Sequence, residues 1–385
     1  MITYIDETTI TNKKVLVRVD YNVSFKSDGT INDDTRIKNA LPTLELLLKN
    51  NNTLILMSHL GKPKGRDMAF SLKPVTARLQ EYFPSYSVTL VDDFTVRMPT
   101  TQDKTIYVLE NTRFYEGEKK NDPVFAKQLA ALADVYVDDA FGSVHRAHAS
   151  TVGVAGLLPH YGGLLLKREV QMIKNAIEAP RRPVVAIVAG AKVSTKIGLL
   201  ESLLRSADHV LVGGAMTNNF LKAQGKEIGK GLLETEYVAE AKRLLDSLNG
   251  TKLVLPVDRR IGVQSDTVSP PVVQSIDHIG INDETLDIGP ATEKLFGEYI
   301  AQAETIIWNG PVGYFENPQF AKGSVAVFDA IIANSHAVSV VGGGDTLSVI
   351  KNLPGKEKIT HISTGGGAML ELIEKGTLPG LDALN

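Results

Sequence analysis

Two lysines four residues apart, Lys192 and Lys196 in AGAKVSTKIG (189–198), are well suited to handling phosphate. So is a glycine run closed by an acid and a hydroxyl, Gly342, Gly343, Gly344, Asp345 and Thr346. The lysine spacing predicts one face at the start of a helix. Cations there oppose the helix dipole until an anion arrives. The three glycines let a phosphate chain approach bare backbone, ahead of a helix expected to begin near Thr346. Asp345 would then face crowded negative charge. A hard cation such as Mg²⁺, which takes carboxylate and phosphate oxygens together, relieves that conflict. A helix N-cap is the plainer role for Asp345, and the two are compatible. Gly213 and Gly214 in VGGAMTNNF, Gly289 in DIGP, and Asn309, Gly313 and Glu316 in WNGPVGYFE extend the pattern. One such glycine pair reads as a tight turn. Several in one half of a chain point to a nucleotide.

The other half places charge where this half places glycine. VRVDYN offers Asp20 and Asn22, and NDDTRIKNA offers Arg36. MSHLGKPKG offers His59, Lys62 and Lys64, and ENTRF offers Arg113. DDAFGSVHRAHAST offers His145, Arg146 and His148. Brought to one sheet edge, these groups form a basic pocket for a small, strongly anionic ligand, since guanidinium forks match phosphate and carboxylate oxygens. Metal binding by His145 and His148 is the weaker alternative. No carboxylate stands at ligand spacing beside them, and Arg146 lies between.

The elements that must hold these residues are short β-branched runs, each followed by a turn and a helical stretch. Candidate strands fall in 13–22, 53–61, 87–93, 105–114 and 134–142, then in 182–192, 208–216, 251–258, 304–313, 337–345 and 360–368. Their continuous apolar character marks sheets buried on both faces, and their alternation with helices marks parallel βαβ units. At 385 residues the chain exceeds one ordinary core. The reading is α/β: two doubly wound parallel-sheet domains with a cleft between them. Leu166, Val170, Ile173 and Ile177 give one apolar stripe in 161–183. A linker helix over about 163–180 therefore joins domains of 1–168 and 169–372, and it and the turn at Thr364 are the expected hinges. In such sheets ligands bind beyond the carboxyl ends of the strands.

A net charge of −3 argues against a general nucleic-acid partner. There is no cysteine, no apolar run long enough for a membrane span, and no signal-like start. These features predict a cytoplasmic protein without a membrane partner. Neither G-x-x-x-x-G-K-[ST] nor G-x-G-x-x-G occurs. A nucleotide half facing an anion half suggests phosphoryl transfer across a cleft.

VLVRVDYNV, SHLGKPKG, LENTRFY, DDAFGSVHRAHASTVG, GAKVSTKI, VGGAMTNNFL, LPVD, DIGP, WNGPVGYFE, VGGGDT and STGGGAMLELIE, in this order, resemble the phosphoglycerate kinase family. The resemblance implies reversible transfer between 1,3-bisphosphoglycerate and MgADP, giving 3-phosphoglycerate and MgATP, by a monomer. By position it implies a phosphoglycerate site of Asp20, Tyr21, Asn22, Arg36, His59, Leu60, Gly61, Lys62, Arg113 and Arg146. It implies a nucleotide site of Lys192, Lys196, Gly213, Gly214, Gly289, Asn309, Glu316, Gly342, Gly343, Gly344, Asp345 and Thr346, with Asp345 on Mg²⁺ and Glu316 on the ribose. Arg36, Lys192, Gly343 and Gly366 are the expected catalytic set. The tail, about 373–385, is expected to return to the first domain. Lys62 stands where the family generally shows arginine, and Ala189, Thr195, Tyr314 and the order Lys375-Gly376 also depart from its pattern. The acceptor is a carboxylate, ionised at neutral pH, so no general base is expected. A dehydrogenase would carry the missing G-x-G-x-x-G. A ligand-binding protein without chemistry would leave Lys192 and Asp345 without a use.

Overall fold

The computed structural model describes residues 1–96, 102–247 and 250–385. It divides into two compact units, Met1–Gln171 with Thr377–Asn385, and Met172–Gly376.

The first unit is built on β1 (Lys14–Arg18), β2 (Thr53–Met57), β3 (Ser87–Val91), β4 (Thr105–Leu109), β5 (Val135–Asp138) and β6 (His160–Gly162). All pair in parallel, in the order β3-β4-β2-β1-β5-β6. The inner strands are buried along nearly their whole length, while edge strand β3 alternates exposed and half-buried positions. That contrast explains why inner strands read as unbroken apolar runs. The chain leaves β1 toward β2 on one side and later takes β5 on the other. The carboxyl end of β1 is therefore the topological switch point.

The second unit repeats the plan with β7 (Val184–Ala189), β8 (His209–Gly213), β9 (Leu253–Val254), β13 (Thr305–Asn309), β14 (Val338–Gly342) and β15 (His361–Ile362). Their order is β15-β14-β13-β7-β8-β9, again parallel, so the switch point lies between β7 and β13. Trp308 is fully buried in this core, and its indole N–H donates to the Gly310 carbonyl at 2.8 Å.

Every strand expected from the apolar runs is present, though each is shorter than its run. Two features were not expected. β6 is a three-residue edge strand. β10 (Asp258–Ile261), β11 (Val272–Ser275) and β12 (Thr285–Ile288) form a separate antiparallel sheet, ordered β11-β10-β12. Its central strand, Asp258-Arg259-Arg260-Ile261, carries three charged residues and offers no apolar run to detect.

The amphipathic helix Leu164–Glu178 follows β6. Its start is set by Asp139, whose Oδ1 accepts from the Leu165 and Leu166 amides at 2.8 and 3.1 Å, and by Thr43, whose hydroxyl accepts from Leu164 at 2.9 Å. The C-terminal Leu378, Leu381 and Leu384 are buried in the first unit, where the Gly380 amide bonds the Val144 carbonyl at 2.8 Å.

Candidate active site

At the first switch point β1 ends on Arg18, which is fully buried. Its guanidinium donates to Ser150 at 3.0 Å, to Ser143 at 3.3 Å and to His59 Nδ1 at 3.1 Å. Accepting at Nδ1 leaves a neutral His59 with its proton on Nε2. Glu118, also buried, accepts from the Ser150 hydroxyl at 2.6 Å and amide at 3.0 Å, and lies 3.7 Å from His148 Nδ1. Arg18, Glu118 and Ser150 support the site from below. Sequence reasoning missed them because Ser150 is 132 positions from Arg18 and 32 from Glu118.

Above this layer stand the expected residues. Asp20 forms an ion pair with Arg36, carried in on the first turn of the helix Thr35–Lys49. Asn22 Oδ1 accepts from the Gly61 amide at 2.8 Å, and Arg113 donates to the Gly61 carbonyl. Arg113 is set by a tight turn that Asn111 caps, its side chain accepting from the Arg113 amide at 3.0 Å. Arg146 and Lys62 are exposed. Tyr21 and Leu60 turn their side chains into the core, so they offer this surface main chain only. The Tyr21 hydroxyl is buried without a partner.

Cations crowd this surface. Burial first, then Arg18, Arg113 and Arg36, hold His59 well below its ordinary pKa. Burial with Arg18, Arg113 and Arg146 brings His148 down to about 4. Burial with Arg18 and Arg146 lowers even Arg113, to about 10. Such a surface is primed for a dense anion, which relieves every one of these repulsions.

At the second switch point a cavity of about 800 Å³ opens. Lys192, Lys196, Gly214, Asn309, Gly313, Glu316, Gly343, Gly344, Asp345, Thr346 and Gly366 all line it. Lys196 reaches across from the β7 side to Asn309 Oδ1 at the end of β13. Asn309 Nδ2 donates to the Gly342 carbonyl at 2.8 Å, and the Gly310 amide donates to the Thr346 hydroxyl at 2.7 Å. Three strand ends are thus laced around the opening. Burial lowers the Lys196 pKa, and the Asp345 carboxylate opposes that.

Several expectations need correction. Lys192 and Lys196 do not share a helical face, because the helix begins only at Ile197. Ser194 is held by Glu234 through its amide at 2.9 Å and its hydroxyl at 2.6 Å, which keeps Lys192 in the preceding loop, exposed. The glycine-run helix starts at Gly344 rather than Thr346, with Gly343 at φ +105° as its cap, so Asp345 is a first-turn residue and not the N-cap. Gly213, Gly289 and Gly342 do not line the cavity. They pack against Val312, the Asp258 carboxylate and Met369 respectively, with no room for a side chain. Leu232, Leu286, Pro311 and Leu370 were not anticipated and supply apolar wall. Scattered single apolar residues carry no periodic signal to find them by.

The profile of the phosphoglycerate kinase family matches residues 5–376. The chain belongs to the phosphoglycerate kinase family. The phosphoglycerate kinase of Finegoldia magna is 45% identical over 385 residues, covering 98% of this chain and 97% of that protein. That of Rubrobacter xylanophilus is 47% identical over 377 residues, covering 97% and 95%. The solved phosphoglycerate kinase of Coxiella burnetii superposes with a TM-score of 0.92 at 38% identity, covering 100% of this chain and 99% of that one. The chain is accordingly a phosphotransferase with phosphoglycerate kinase activity, an ATP- and ADP-using enzyme of glycolysis that acts on small molecules. Among the described residues no helix is long and apolar enough to cross a membrane.

Proposed function

We propose that the cationic surface of the first unit holds phosphoglycerate and that the cavity of the second holds ADP or ATP. The contrast between the two switch points carries this reading: one crowds arginine and histidine, the other opens a lysine- and glycine-lined space of nucleotide size. Arg36, Arg113, Arg146, His59 and Lys62 grip the phosphate and carboxylate. Asp20 holds the Arg36 fork in place, Asn22 fixes the Gly61 turn, and Tyr21 and Leu60 contribute main chain. In the cavity Lys192, Lys196, Asn309, Gly214 and the Gly343–Thr346 turn serve the phosphates, and Glu316 serves the ribose.

Among the described residues no three carboxylate, histidine or cysteine side chains converge as a metal shell. Asp345, exposed on the glycine turn and lining the cavity, fits the single protein carboxylate that Mg²⁺ takes when phosphates and water fill its other positions. When bound, the ion neutralises charge between the phosphates.

The acceptor carboxylate is ionised at pH 7 and attacks without a general base. Catalysis then rests on alignment and on neutralising the migrating phosphoryl group, assigned to Lys192, Arg36 and the amides at Gly343 and Gly366. Reactants held by different units must come within about 3–3.5 Å, so the units close on each other, with the helix Leu164–Glu178 and the Thr364 turn as hinges. Closure also keeps water from the acyl phosphate. A single chain carries every residue invoked, and we read it as a cytoplasmic monomer.

Activity with ADP and 1,3-bisphosphoglycerate should vanish on chelation of divalent cations and return with Mg²⁺. Small-angle scattering should show a smaller radius of gyration with both substrates than with either alone. An unchanged radius in the ternary complex counts against closure.

A further inference from the structure

Behind the nucleotide cavity lies a charge that the site described above does not use. Arg259, in the middle of β10, is 2% exposed. One guanidinium nitrogen donates to the Thr217 hydroxyl, and the other reaches the Thr285 hydroxyl at 3.4 Å. Nε has no partner. No carboxylate stands within ion-pair distance of it among the described residues. The next residue shows the contrast: Arg260 pairs with Asp287 and with Glu293 at 2.6 Å. A buried cation without an ion-pair partner is costly: burial lowers the Arg259 pKa to about 10, and the more distant Asp287 carboxylate opposes that only in part. One of the two partners of Arg259 stands in the cavity wall and the other is bonded to it. Thr285 lines the cavity, and Thr217 passes the bond on, its hydroxyl donating at 2.7 Å to the carbonyl of Gly214, which lines it too.

We propose that Arg259 is a positioning residue for the nucleotide. From behind the wall it braces Gly214 and Thr285, and its weakly screened positive field favours the entry of a nucleoside di- or triphosphate. The missing counter-ion is then the ligand itself. This rests on the nucleotide occupying the cavity. Lys192, exposed, draws the same anion through solvent and is screened by salt. Arg259 is sealed from solvent, so its contribution persists at high ionic strength.

The test is ADP titration into the full chain, with KM values for both substrates and thermal melting. Arg259→Met should weaken ADP binding about fivefold at low and high salt alike, a modest coupling free energy. The KM for phosphoglycerate should change less than twofold, and the melting temperature should hold or rise, because an unpaired buried charge has been removed. A bare structural strut would instead show a lower melting temperature with ADP affinity intact, which overturns the proposal. Should Arg259→Met not fold, Thr217→Val takes its place. It keeps the charge and cuts the brace to Gly214, and a Kd for ADP equal to that of the parent overturns the proposal. Lys196→Ala is the control. If it also leaves ADP affinity unchanged, the nucleotide lies elsewhere and the functional reading itself falls.

Discussion

After β1, β2 and β5 the chain arranges Asp20, His59 and the 145–148 turn over a buried Arg18. After β7, β13 and β14 it arranges Lys196, Asn309 and a glycine turn around open space. The two sheets share strand number, parallel pairing and a switch point, yet their carboxyl ends are opposite in kind. On the proposed reading, a small, dense anion offers few atoms to touch, so it is met by side-chain charge packed until the histidines lose their hold on protons. A nucleotide is larger and part apolar. It is met by room, by main chain and by a few lysines. On that reading one architecture serves either ligand, and the strand-end residues choose between them.

The comparison breaks most sharply at Arg36. Arg36→Ala should lower kcat by a hundredfold or more, about 3–4 kcal/mol by analogy with the loss of one oxyanion donor, while the Kd for ADP stays put. Equal losses in both would erase the division between the surfaces. Gly343→Ala should cost about 1–3 kcal/mol in urea unfolding, because a left-handed backbone is forced on a residue with a Cβ, and that Cβ meets the Asn309 amide. Nucleotide affinity should fall with it and phosphoglycerate affinity should not. Lys196→Ala should raise the KM for ADP about tenfold, equivalent to about 1.4 kcal/mol, again without touching the other substrate.

A pH experiment sharpens the cationic side. His148 titrates near 4 in the folded chain and near 6.5 when unfolded. Between those values the unfolded chain binds a proton that the folded chain refuses, so His148 opposes folding as pH drops from 6.5 toward 4. Melts of the parent and His148→Gln should diverge there, with the parent losing more. Parallel curves would show that His148 is not held down by burial and its arginine neighbours. The smallest effect belongs to Lys62→Arg. An exposed fork replacing a point charge should lower the KM for phosphoglycerate by about threefold at most.

Much of the site was legible because strand-end chemistry is local. Asp20, His59, Arg113, Lys196, Asn309 and Asp345 each sit within a few residues of an apolar run, and a doubly wound sheet brings such positions together. The lysine pair misled because helical spacing was assumed across a loop that Ser194 ties to Glu234, 40 positions away. The glycines divided for a similar reason. Gly214 and Gly343 face the cavity while Gly213 and Gly342, their immediate neighbours, are pressed against Val312 and Met369. Adjacent glycines look alike until the packing around them is known.

The amino-acid sequence by itself determined the α/β class, the position of every inner strand of the two parallel sheets and the kinds of group at the strand ends, since burial on both faces demands continuous apolar runs. Only the tertiary structure decided which glycines line the cavity, how Arg18, Glu118 and Ser150 brace His59 and His148, and that Arg259 lies without an ion-pair partner behind the cavity wall. Those facts depend on contacts between residues far apart along the chain, and no local pattern of residue types encodes them.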